Sequence, residues 1–174
     1  MARIRVARAG DADEIARVHW DSWETTYRGV LPDEVLDERT VEVRRAFWEQ
    51  LLSDEATVSG VLVSCSEEGA IEGFVACGRE RSGTLGAEGE VYAIYVRREW
   101  QGRGYGRGLM AAAAGWLRET GCSSLGLWVL AANPAVKFYE RIGGRVIARR
   151  MELFGGQEFE ELAMGWDRID HLRP

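Results

Sequence analysis

Hydrophobic and polar positions follow two different periods along the chain, and the changes of period predict its secondary structure. Ile4–Arg8 alternates between apolar and charged residues, which predicts a first strand. The following segment repeats its apolar residues every three to four positions, which predicts an amphipathic helix. The residues that share its apolar face are Ile15, Val18 and Trp23. Asp11 and Glu14 have the spacing of a capping box, so we expect them to begin this helix and Gly29–Pro32 to end it.

The rest of the chain continues this mixture of helices and strands. A short helical turn follows Pro32, and Thr40 is expected to cap a second helix that runs to about Leu52. The apolar face of this helix is expected to consist of Val43, Phe47 and Leu51. The later helices are predicted at Leu109–Thr120 and Pro134–Ile142. The later strands are predicted at Val58–Cys65, Gly69–Arg79, Glu88–Arg97, Ser124–Leu130, Arg145–Phe154 and Gln157–Trp166. The order β-α-α-β-β-β-α-β-α-β-β predicts an α+β fold with helices on both faces of a sheet, and no linker divides residues 1–174, so one domain is expected.

Composition is typical of a soluble globular protein. Hydrophobic residues make up 46% of the chain and charged residues 29%, a balance that argues against disorder and coiled coil. Leu109–Leu117 is the longest apolar stretch and is too short to span a membrane, and the charged N-terminus does not have the pattern of a secretory signal. The net charge of −6 argues against nucleic acid as a partner. Cys65, Cys77 and Cys122 are too few and too dispersed for a disulfide framework or a structural metal site, so we expect a cytoplasmic protein without a metal.

One segment has the composition of a phosphate-binding loop. The strand Glu88–Arg97 leads to four alternating glycines, Gly102, Gly104, Gly106 and Gly108, directly before a helix. Glycines let backbone N–H groups turn toward a ligand, and a helix N-terminus adds a partial positive charge. Four arginines against one glutamate surround this loop, although the chain as a whole is acidic. A pyrophosphate is therefore the expected ligand.

Two common phosphate motifs do not fit this loop. A P-loop ends in Gly-Lys-Ser or Gly-Lys-Thr, and the only lysine of this chain is Lys137. A dinucleotide fingerprint requires a third glycine where Arg107 stands, or where Leu109 stands if the motif begins two residues later. What remains is the Gln-x-x-Gly-x-Gly pattern of Gln101, Gly104 and Gly106.

The chain resembles the GNAT superfamily of acetyl-CoA-dependent N-acetyltransferases over nearly its whole length. The resemblance rests on the strand 94–96 (Ile-Tyr-Val), the loop 101–106 (Gln-Gly-Arg-Gly-Tyr-Gly) and the segment Asn133–Gly143, in this order and spacing. It implies a central mixed, mostly antiparallel sheet of about seven strands. It also implies an acyltransferase that uses acetyl-CoA as cosubstrate, with a primary amine attacking the acetyl group directly in a ternary complex.

The resemblance further implies where acetyl-CoA binds. The backbone of Ile94, Tyr95 and Val96 is expected to pair with pantetheine where this strand parts from its neighbour, with an N–H near Ile94 polarising the thioester carbonyl. The pyrophosphate is expected on the backbone amides of the loop that contains Gln101, Gly102, Arg103, Gly104, Tyr105, Gly106 and Arg107. Asn133 is expected either to bind pantetheine or to cap the helix at Pro134.

Two residues are candidates for proton transfer. Tyr139 matches the tyrosine that the family places near the cofactor sulfur, where a phenol can protonate the leaving thiolate. The alternative for Tyr139 is a buried aromatic residue on an apolar helix face. Glu90 stands six residues before Val96, the spacing of the general base in the histone acetyltransferases of this family, and the alternative is a solvated acid at a strand start. Other members place a glutamate on the next strand, where this chain has Trp128.

The acceptor site is expected between the first helix and the C-terminal hairpin. Trp23 and Tyr27 are the predicted substrate-binding residues. Other residues predicted to wall the pocket are Trp20, Phe154, Phe159, Glu160 and Glu161. Aromatic walls with an acidic rim favour a small cationic amine, through cation–π contact and charge attraction, and a peptide amine is the alternative acceptor. A non-catalytic acyl-CoA-sensing or interaction domain is the alternative function. Many members of the family pair, so a homodimer is a further expectation.

Overall fold

The computed structural model describes residues 3–53 and 60–173. The strands within these ranges are β1 (Arg3–Val6), β2 (Gly60–Cys65), β3 (Ile71–Arg79), β4 (Gly89–Val96), β5 (Leu125–Leu130), β6 (Arg145–Phe154) and β7 (Gln157–Trp166). The α-helices are α1 (Ala12–Tyr27), α2 (Asp33–Asp37), α3 (Val41–Ser53), α4 (Tyr105–Glu119) and α5 (Ala135–Arg141). The strands form one sheet in the order β1-β2-β3-β4-β5-β7-β6.

The sheet is mixed and mostly antiparallel, with helices on both of its faces. Only β4 and β5 run parallel among the described strand pairs, because α4 connects them as a crossover. On one face, Ile15 of α1 and Trp48 of α3 join Phe74 of β3 in an apolar cluster. On the other face, Leu109 of α4 and Tyr139 of α5 belong to a second, larger cluster. The predicted α+β fold is thereby confirmed.

Most predicted elements are present, with shifted ends. β6 and β7 have the predicted bounds. α4 begins at Tyr105 rather than at Leu109, so Gly106 and Gly108 lie inside the helix. Val58, the predicted start of β2, lies outside the described residues. No helix in the described part of the chain is both long and apolar enough to cross a lipid bilayer.

The predicted capping box at the start of α1 is wrong. The Asp11 carboxylate accepts hydrogen bonds from the Arg5 guanidinium at 2.6 and 2.9 Å and from the Arg8 N–H at 2.7 Å. Glu14 instead accepts from the N–H of Ile71 at 2.9 Å. The two carboxylates therefore tie the start of α1 to β1 and β3, partners that lie too far along the chain for local spacing to predict.

The predicted apolar face of α3 is wrong at two of its three positions, whereas the third, Leu51, packs against the apolar cluster that contains Trp48. Val43 is 56% exposed and Phe47 is 55% exposed, whereas Arg44 and Trp48 are buried at 6% and 2%. Both sets of residues have helical spacing, so periodicity alone could not choose between them. The inward face of α3 is the one that brings Arg44 and Trp48 to His19 of α1.

β4 and β5 part soon after they meet. Their parallel pairing is limited to Gly89 with Leu125 and Glu90 with Gly126. Each strand nevertheless continues along its other neighbour, β3 or β7. A β-bulge at Tyr92, which has no partner in β3, bends β4 at this point. The result is a cleft in the middle of the sheet.

Candidate active site

A cleft of about 930 Å³ opens between the parted strands and collects most of the predicted site residues. The predicted residues that line it are Trp23, Tyr27, Glu90, Ile94, Tyr95, Val96, Gln101, Gly102, Gly104, Gly106, Arg107, Asn133 and Tyr139. Phe154 and Glu161 from the C-terminal hairpin also line it. The predicted residues outside its wall are Trp20, Arg103, Tyr105, Phe159 and Glu160.

The β4 backbone presents a free edge to this cleft. In an antiparallel pair, successive residues direct their N–H and C=O groups alternately to the two sides. The N–H of Arg97 donates to the Glu72 carbonyl of β3 at 2.9 Å, so Tyr95 also directs its backbone to β3. Ile94 and Val96 therefore direct theirs into the cleft. The expectation for the Tyr95 backbone is corrected accordingly, and this residue offers the cleft its side chain.

The glycine-rich loop joins this free edge to α4. Gln101 Nε2 donates to the Val96 carbonyl at 3.0 Å, which fixes the loop against β4. Gly102 and Gly104 have φ values of +73° and +87°, a left-handed conformation that side chains with a Cβ rarely adopt. Gly106 lies inside α4, where an added Cβ would come within 3.2 Å of Phe138. The loop and the first turn of α4 thus expose their backbone to the cleft.

Three guanidinium groups surround the loop end of the cleft. Arg98, Arg107 and Arg141 all line it. None of the three forms an ion pair with another residue of ranges 3–53 and 60–173. Sequence analysis missed the part of Arg141, because this residue lies at the end of α5, far along the chain from the glycine loop. The electrostatic character of this end suits an anion.

The side chains of Arg103 and Tyr105 turn away from the cleft. The Arg103 guanidinium lies over the Trp100 ring, 5.1 Å from its centre. Tyr105 is 9% exposed and packs against the same tryptophan. Both side chains are used in packing, which leaves the expectation that these two residues bind the pyrophosphate through their backbone N–H groups unchanged.

Tyr139 lies at the junction of the cleft and the larger apolar cluster. It is 6% exposed and packs edge-on against Trp166. Its hydroxyl donates to no other group among the described residues, although the residue lines the cleft. Burial raises the pKa of Tyr139 above its usual value, so the phenol keeps its proton at neutral pH. Tyr139 is therefore a core residue that also reaches the cleft, and its role as the acid stays a prediction.

Glu90 is buried in the cleft and is held by Arg81. Its carboxylate accepts from Arg81 Nη2 at 3.0 Å, from Arg81 Nε at 3.2 Å and from the Arg81 backbone at 3.3 Å. The same contact raises the pKa of Arg81. The alternative of a solvated acid is therefore wrong, since Glu90 is only 7% exposed. Both of its oxygens are occupied as long as Arg81 stays in place.

Two hydrogen bonds connect α1 to the rest of the cleft wall. Asn133 Nδ2 donates to the Tyr27 hydroxyl at 2.8 Å, while Asn133 Oδ1 accepts from the Ala135 N–H at the start of α5. The expected capping contact is present, and one Asn133 N–H remains for a ligand. Trp23 Nε1 donates to the Tyr95 hydroxyl at 2.8 Å. These bonds fix both predicted substrate-binding residues.

The aromatic faces at the acceptor end are already covered by arginines. The guanidinium carbons of Arg39 and Arg44 each lie 4.9 Å from the centre of the Trp23 ring. Arg150 lies 4.1 Å from the centre of the Trp128 ring and also forms an ion pair with Glu161 at 2.6 Å. The Trp23 and Trp128 rings are therefore already in contact with cations of the protein itself, which argues against the expected cation–π wall for a cationic amine.

The expected acidic rim is not free either, because arginines pair with both of its glutamates. Glu161 is neutralised by Arg150, and Glu160 forms an ion pair with Arg149 at 2.8 Å. Trp20 is 38% exposed and lies outside the cleft. The two acidic residues therefore offer no free negative charge to an acceptor.

The comparisons with known proteins agree with this geometry. A sequence model of the acetyltransferase (GNAT) family matches residues 13–144. The chain is 34% identical over 173 residues to the uncharacterized N-acetyltransferase YuaI of Bacillus subtilis (strain 168), which covers 99% of this chain and 97% of that protein. It is 30% identical over 126 residues to aminoglycoside N(6')-acetyltransferase type 1 of Stenotrophomonas maltophilia, covering 70% of this chain and 71% of that protein.

The fold is also similar to that of solved structures. The PaiA N-acetyltransferase of Thermoplasma acidophilum, solved in complex with coenzyme A, superimposes with a TM-score of 0.73. The two sequences are 19% identical, and the match covers 93% of this chain and 98% of that one. At this identity the likeness concerns the fold alone.

Proposed function

Because the chain belongs to the GNAT family of acetyltransferases, we propose that it transfers the acetyl group of acetyl-CoA to a primary amine that attacks directly in a ternary complex. The observation that carries this proposal is the parting of β4 from β5. It leaves the backbone groups of Ile94 and the N–H of Val96 on an open edge beside a glycine loop at the start of α4. The amide groups of pantetheine can pair with that edge as a strand would, while the loop receives the pyrophosphate.

The phosphates of acetyl-CoA are proposed to bind at the loop end of the cleft. Gly104 is the N-cap of α4, so the N–H groups of Tyr105, Gly106 and Arg107 in its first turn have no acceptor within the helix, and the helix dipole favours negative charge there. Arg98, Arg107 and Arg141 add three guanidinium groups at the same end. Their lack of ion-pair partners in the described part of the chain supports this assignment, since a phosphate would supply the missing negative charge.

Acyl transfer then requires one new bond and one broken bond. The neutral amine attacks the thioester carbon, a C–N bond forms, and the C–S bond breaks to release the coenzyme A thiolate. Negative charge develops on the carbonyl oxygen during the attack. The N–H of Ile94 is the proposed donor to that oxygen, because it lies on the open edge of β4 and has no strand partner there.

Tyr139 is the proposed acid of this reaction. The leaving thiolate needs a proton, and the Tyr139 phenol lines the cleft in its protonated form. Because its hydroxyl has no other acceptor among the described residues, the proton is free to be given to sulfur. The phenol gives its proton to the thiolate, and the proton that the attacking nitrogen loses as the amide forms restores the phenol, so Tyr139 is unchanged after the reaction.

Glu90 is the proposed base, acting directly or through a water chain. A lysine-like amine with a pKa of about 10.4 is only about one part in two thousand neutral at pH 7, so a base is useful. Glu90 lies in the cleft wall on the same strand as Ile94. To accept a proton, it must exchange at least one of its hydrogen bonds with Arg81, whose side chain is 63% exposed and has room to move.

The amine is proposed to enter beside Trp23 and Tyr27, at the opposite end of the cleft from the arginines of the loop. The name of the Stenotrophomonas relative supports an amine acceptor. A small cationic amine was expected from the sequence, and the arginine-covered aromatic faces weaken that choice.

The cellular compartment and the oligomeric state are proposed from the buried cysteine thiols and from the exposed edge strand β6. Cys65, Cys77 and Cys122 are all free and buried, which supports a reducing cytoplasm. The edge strand β6 exposes Met151 at 55% and Leu153 at 65%, which supports a homodimer that covers them. A single domain over residues 1–174 is proposed on the continuity of the sheet.

Calorimetry and a thiol-release assay test the proposed function together. Acetyl-CoA should bind the wild-type protein, and Arg107→Gln and Arg141→Gln should each raise its Kd about three- to thirtyfold by removing one charged contact with a phosphate. Arg118→Gln is the matched control, because Arg118 is exposed on α4 and lies outside the cleft wall. Its Kd should equal that of the wild type.

Turnover is then measured over a broad panel of amines with a thiol-detecting reagent. Release of coenzyme A that requires an amine supports the proposal. Absence of binding at millimolar acetyl-CoA would contradict the cofactor site. A covalent acetyl-enzyme detected by mass spectrometry would contradict direct attack.

A further inference from the structure

We propose that the acceptor amine carries a negatively charged group, a carboxylate in the simplest case, and that the positive charges of Arg44 and Arg39 next to Trp23 attract this group. The inference rests on the proposed function, because it names the class of acceptor for the same cleft. It follows from a buried positive charge that has no ion-pair partner in the described part of the chain.

Arg44 is the origin of this inference. The residue is 6% exposed, and its Nε and Nη2 atoms are enclosed without a hydrogen-bond partner among the described residues. Its Nη1 donates to His19 Nε2 at 2.6 Å. No carboxylate of ranges 3–53 and 60–173 forms an ion pair with it. Buried arginines are ordinarily paired, so an unpaired one indicates a missing anion.

His19 does not supply the missing charge. Its Nε2 accepts from Arg44 and so carries no proton, while Trp48 Nε1 lies 3.3 Å from the other ring nitrogen. Burial, reinforced by Arg44 and Arg39, holds the pKa of His19 well below its usual value, so the ring is neutral. Burial also lowers the pKa of Arg44 to about 10, which still leaves the guanidinium charged at neutral pH.

Arg44 and Arg39 lie against Trp23, just outside the cleft wall. Both guanidinium carbons lie 4.9 Å from the centre of this ring, which lines the cleft. Ser22 is the neighbouring residue in the cleft wall, and its Oγ is also enclosed without a partner in the part of the chain that the structure describes. Two positive charges therefore lie next to the end of the cleft where Ser22 and Trp23 form its wall.

The nearby carboxylates are already engaged. Glu24 of α1 pairs with Arg28 at 2.7 Å, and Glu161 pairs with Arg150. Glu24 offsets the charge of Arg44 only in part, because it is already paired with Arg28. A polycationic amine would be repelled by the two guanidinium groups, whereas an amine with a nearby carboxylate would be attracted to them.

Matched acceptors separate the charge of the substrate from the chemistry of its amine. We suggest α-amino acids and ω-amino acids, each paired with its own carboxamide, together with aminophosphonates and diamines, all assayed by thiol release. The quantity compared is the ratio of kcat/KM for an acid to that for its amide, measured in the wild type and in each variant. The difference in amine basicity between acid and amide cancels in this comparison.

In the wild type, at least one acid should be used about tenfold better than its amide. Arg44→Gln should bring this ratio close to one, and Arg39→Gln should lower it at least threefold. The KM for acetyl-CoA should stay within twofold of the wild type in both variants. Arg118→Gln is the control and should leave the ratio unchanged. If the aminophosphonates respond as the amino acids do, the site recognises anions in general rather than carboxylates.

Failure of this inference and failure of the proposed function give different results in these assays. Preference of the wild type for amides or diamines, or an unchanged ratio in Arg39→Gln and Arg44→Gln, overturns the inference while acetyl transfer stands. If no amine at all supports thiol release, the proposed function fails and this inference fails with it. If Arg44→Gln does not fold, Arg39→Gln decides the matter, because Arg39 is exposed and its replacement leaves the core intact.

Discussion

Asn133 and Glu90 are polar residues of the cleft wall that the fold holds in place. Asn133 holds the start of α5 with its oxygen and the Tyr27 hydroxyl with its nitrogen. Glu90 is fixed by Arg81, and the same contact orients its carboxylate in the cleft wall. The sequence alone cannot assign such a residue as structural or functional, because the structural contacts place it at the proposed site.

Tyr139→Phe tests the proposed acid without removing the aromatic ring. The variant keeps the packing against Phe138 and Trp166 and loses only the hydroxyl. We expect kcat to fall about ten- to a thousandfold while the Kd for acetyl-CoA stays nearly constant. Steady-state kinetics with the best acceptor, together with calorimetry, measures the two quantities.

Glu90→Gln is the companion variant in the same assay, and Tyr92→Phe is the control. Tyr92 also lines the cleft but donates its hydroxyl hydrogen to the Arg79 carbonyl at 2.6 Å, so it is not free to act as the acid. An unchanged kcat in Tyr139→Phe would return Tyr139 to a purely structural role. A loss in Tyr92→Phe as large as that in Tyr139→Phe would show that any lost hydroxyl in the cleft has this effect.

At the scale of elements, periodicity predicts which segments are helices and strands but not how each is rotated. The order of the elements along the chain and the bounds of the C-terminal hairpin follow from the sequence, because alternation and turn residues are local signals. The orientation of α3 does not, because 43/47 and 44/48 have the same spacing. Contacts between Trp48, His19 and Phe74 decide it, and these residues lie far apart in the chain.

The stability of the protein should reflect this rotation of α3. Trp48→Ala should lower the free energy of unfolding by about 3–5 kcal/mol, because a fully enclosed ring is lost and a cavity remains. Phe47→Ala should lower it by about 1 kcal/mol or less, since that ring is more than half exposed. Urea denaturation followed by circular dichroism measures both values. The reverse order would mean that the helix buries Phe47 instead.

At the scale of the whole molecule, the two ends of the cleft differ in how far the sequence could predict them. The proposed cofactor end comes mostly from one continuous segment, β4 to α4, which the glycine pattern and the family resemblance predict, whereas Arg141 of α5 joins it from farther along the chain. The proposed acceptor end is built from pairs distant in sequence, such as Trp23 with Tyr95 and Tyr27 with Asn133. No local pattern encodes these pairs. The contacts of Arg39 and Arg44 with Trp23 were missed for the same reason, and they argue against the cationic acceptor that the sequence predicts.

The parted sheet also predicts where acetyl-CoA should change the dynamics of the protein. The amides of Ile94 and Val96 face the cleft without a strand partner, so they should exchange hydrogen readily in the free protein. Acetyl-CoA at about 100 times its Kd should slow their exchange by up to about a hundredfold, and should also protect the loop 102–107. Hydrogen exchange resolved by NMR measures this site by site.

Val63, buried in β2 and paired on both sides, is the internal control and should show no comparable change. Equal protection across the whole sheet would indicate general stabilisation instead, and unprotected β4 amides in the bound protein would contradict strand-like binding of the cofactor.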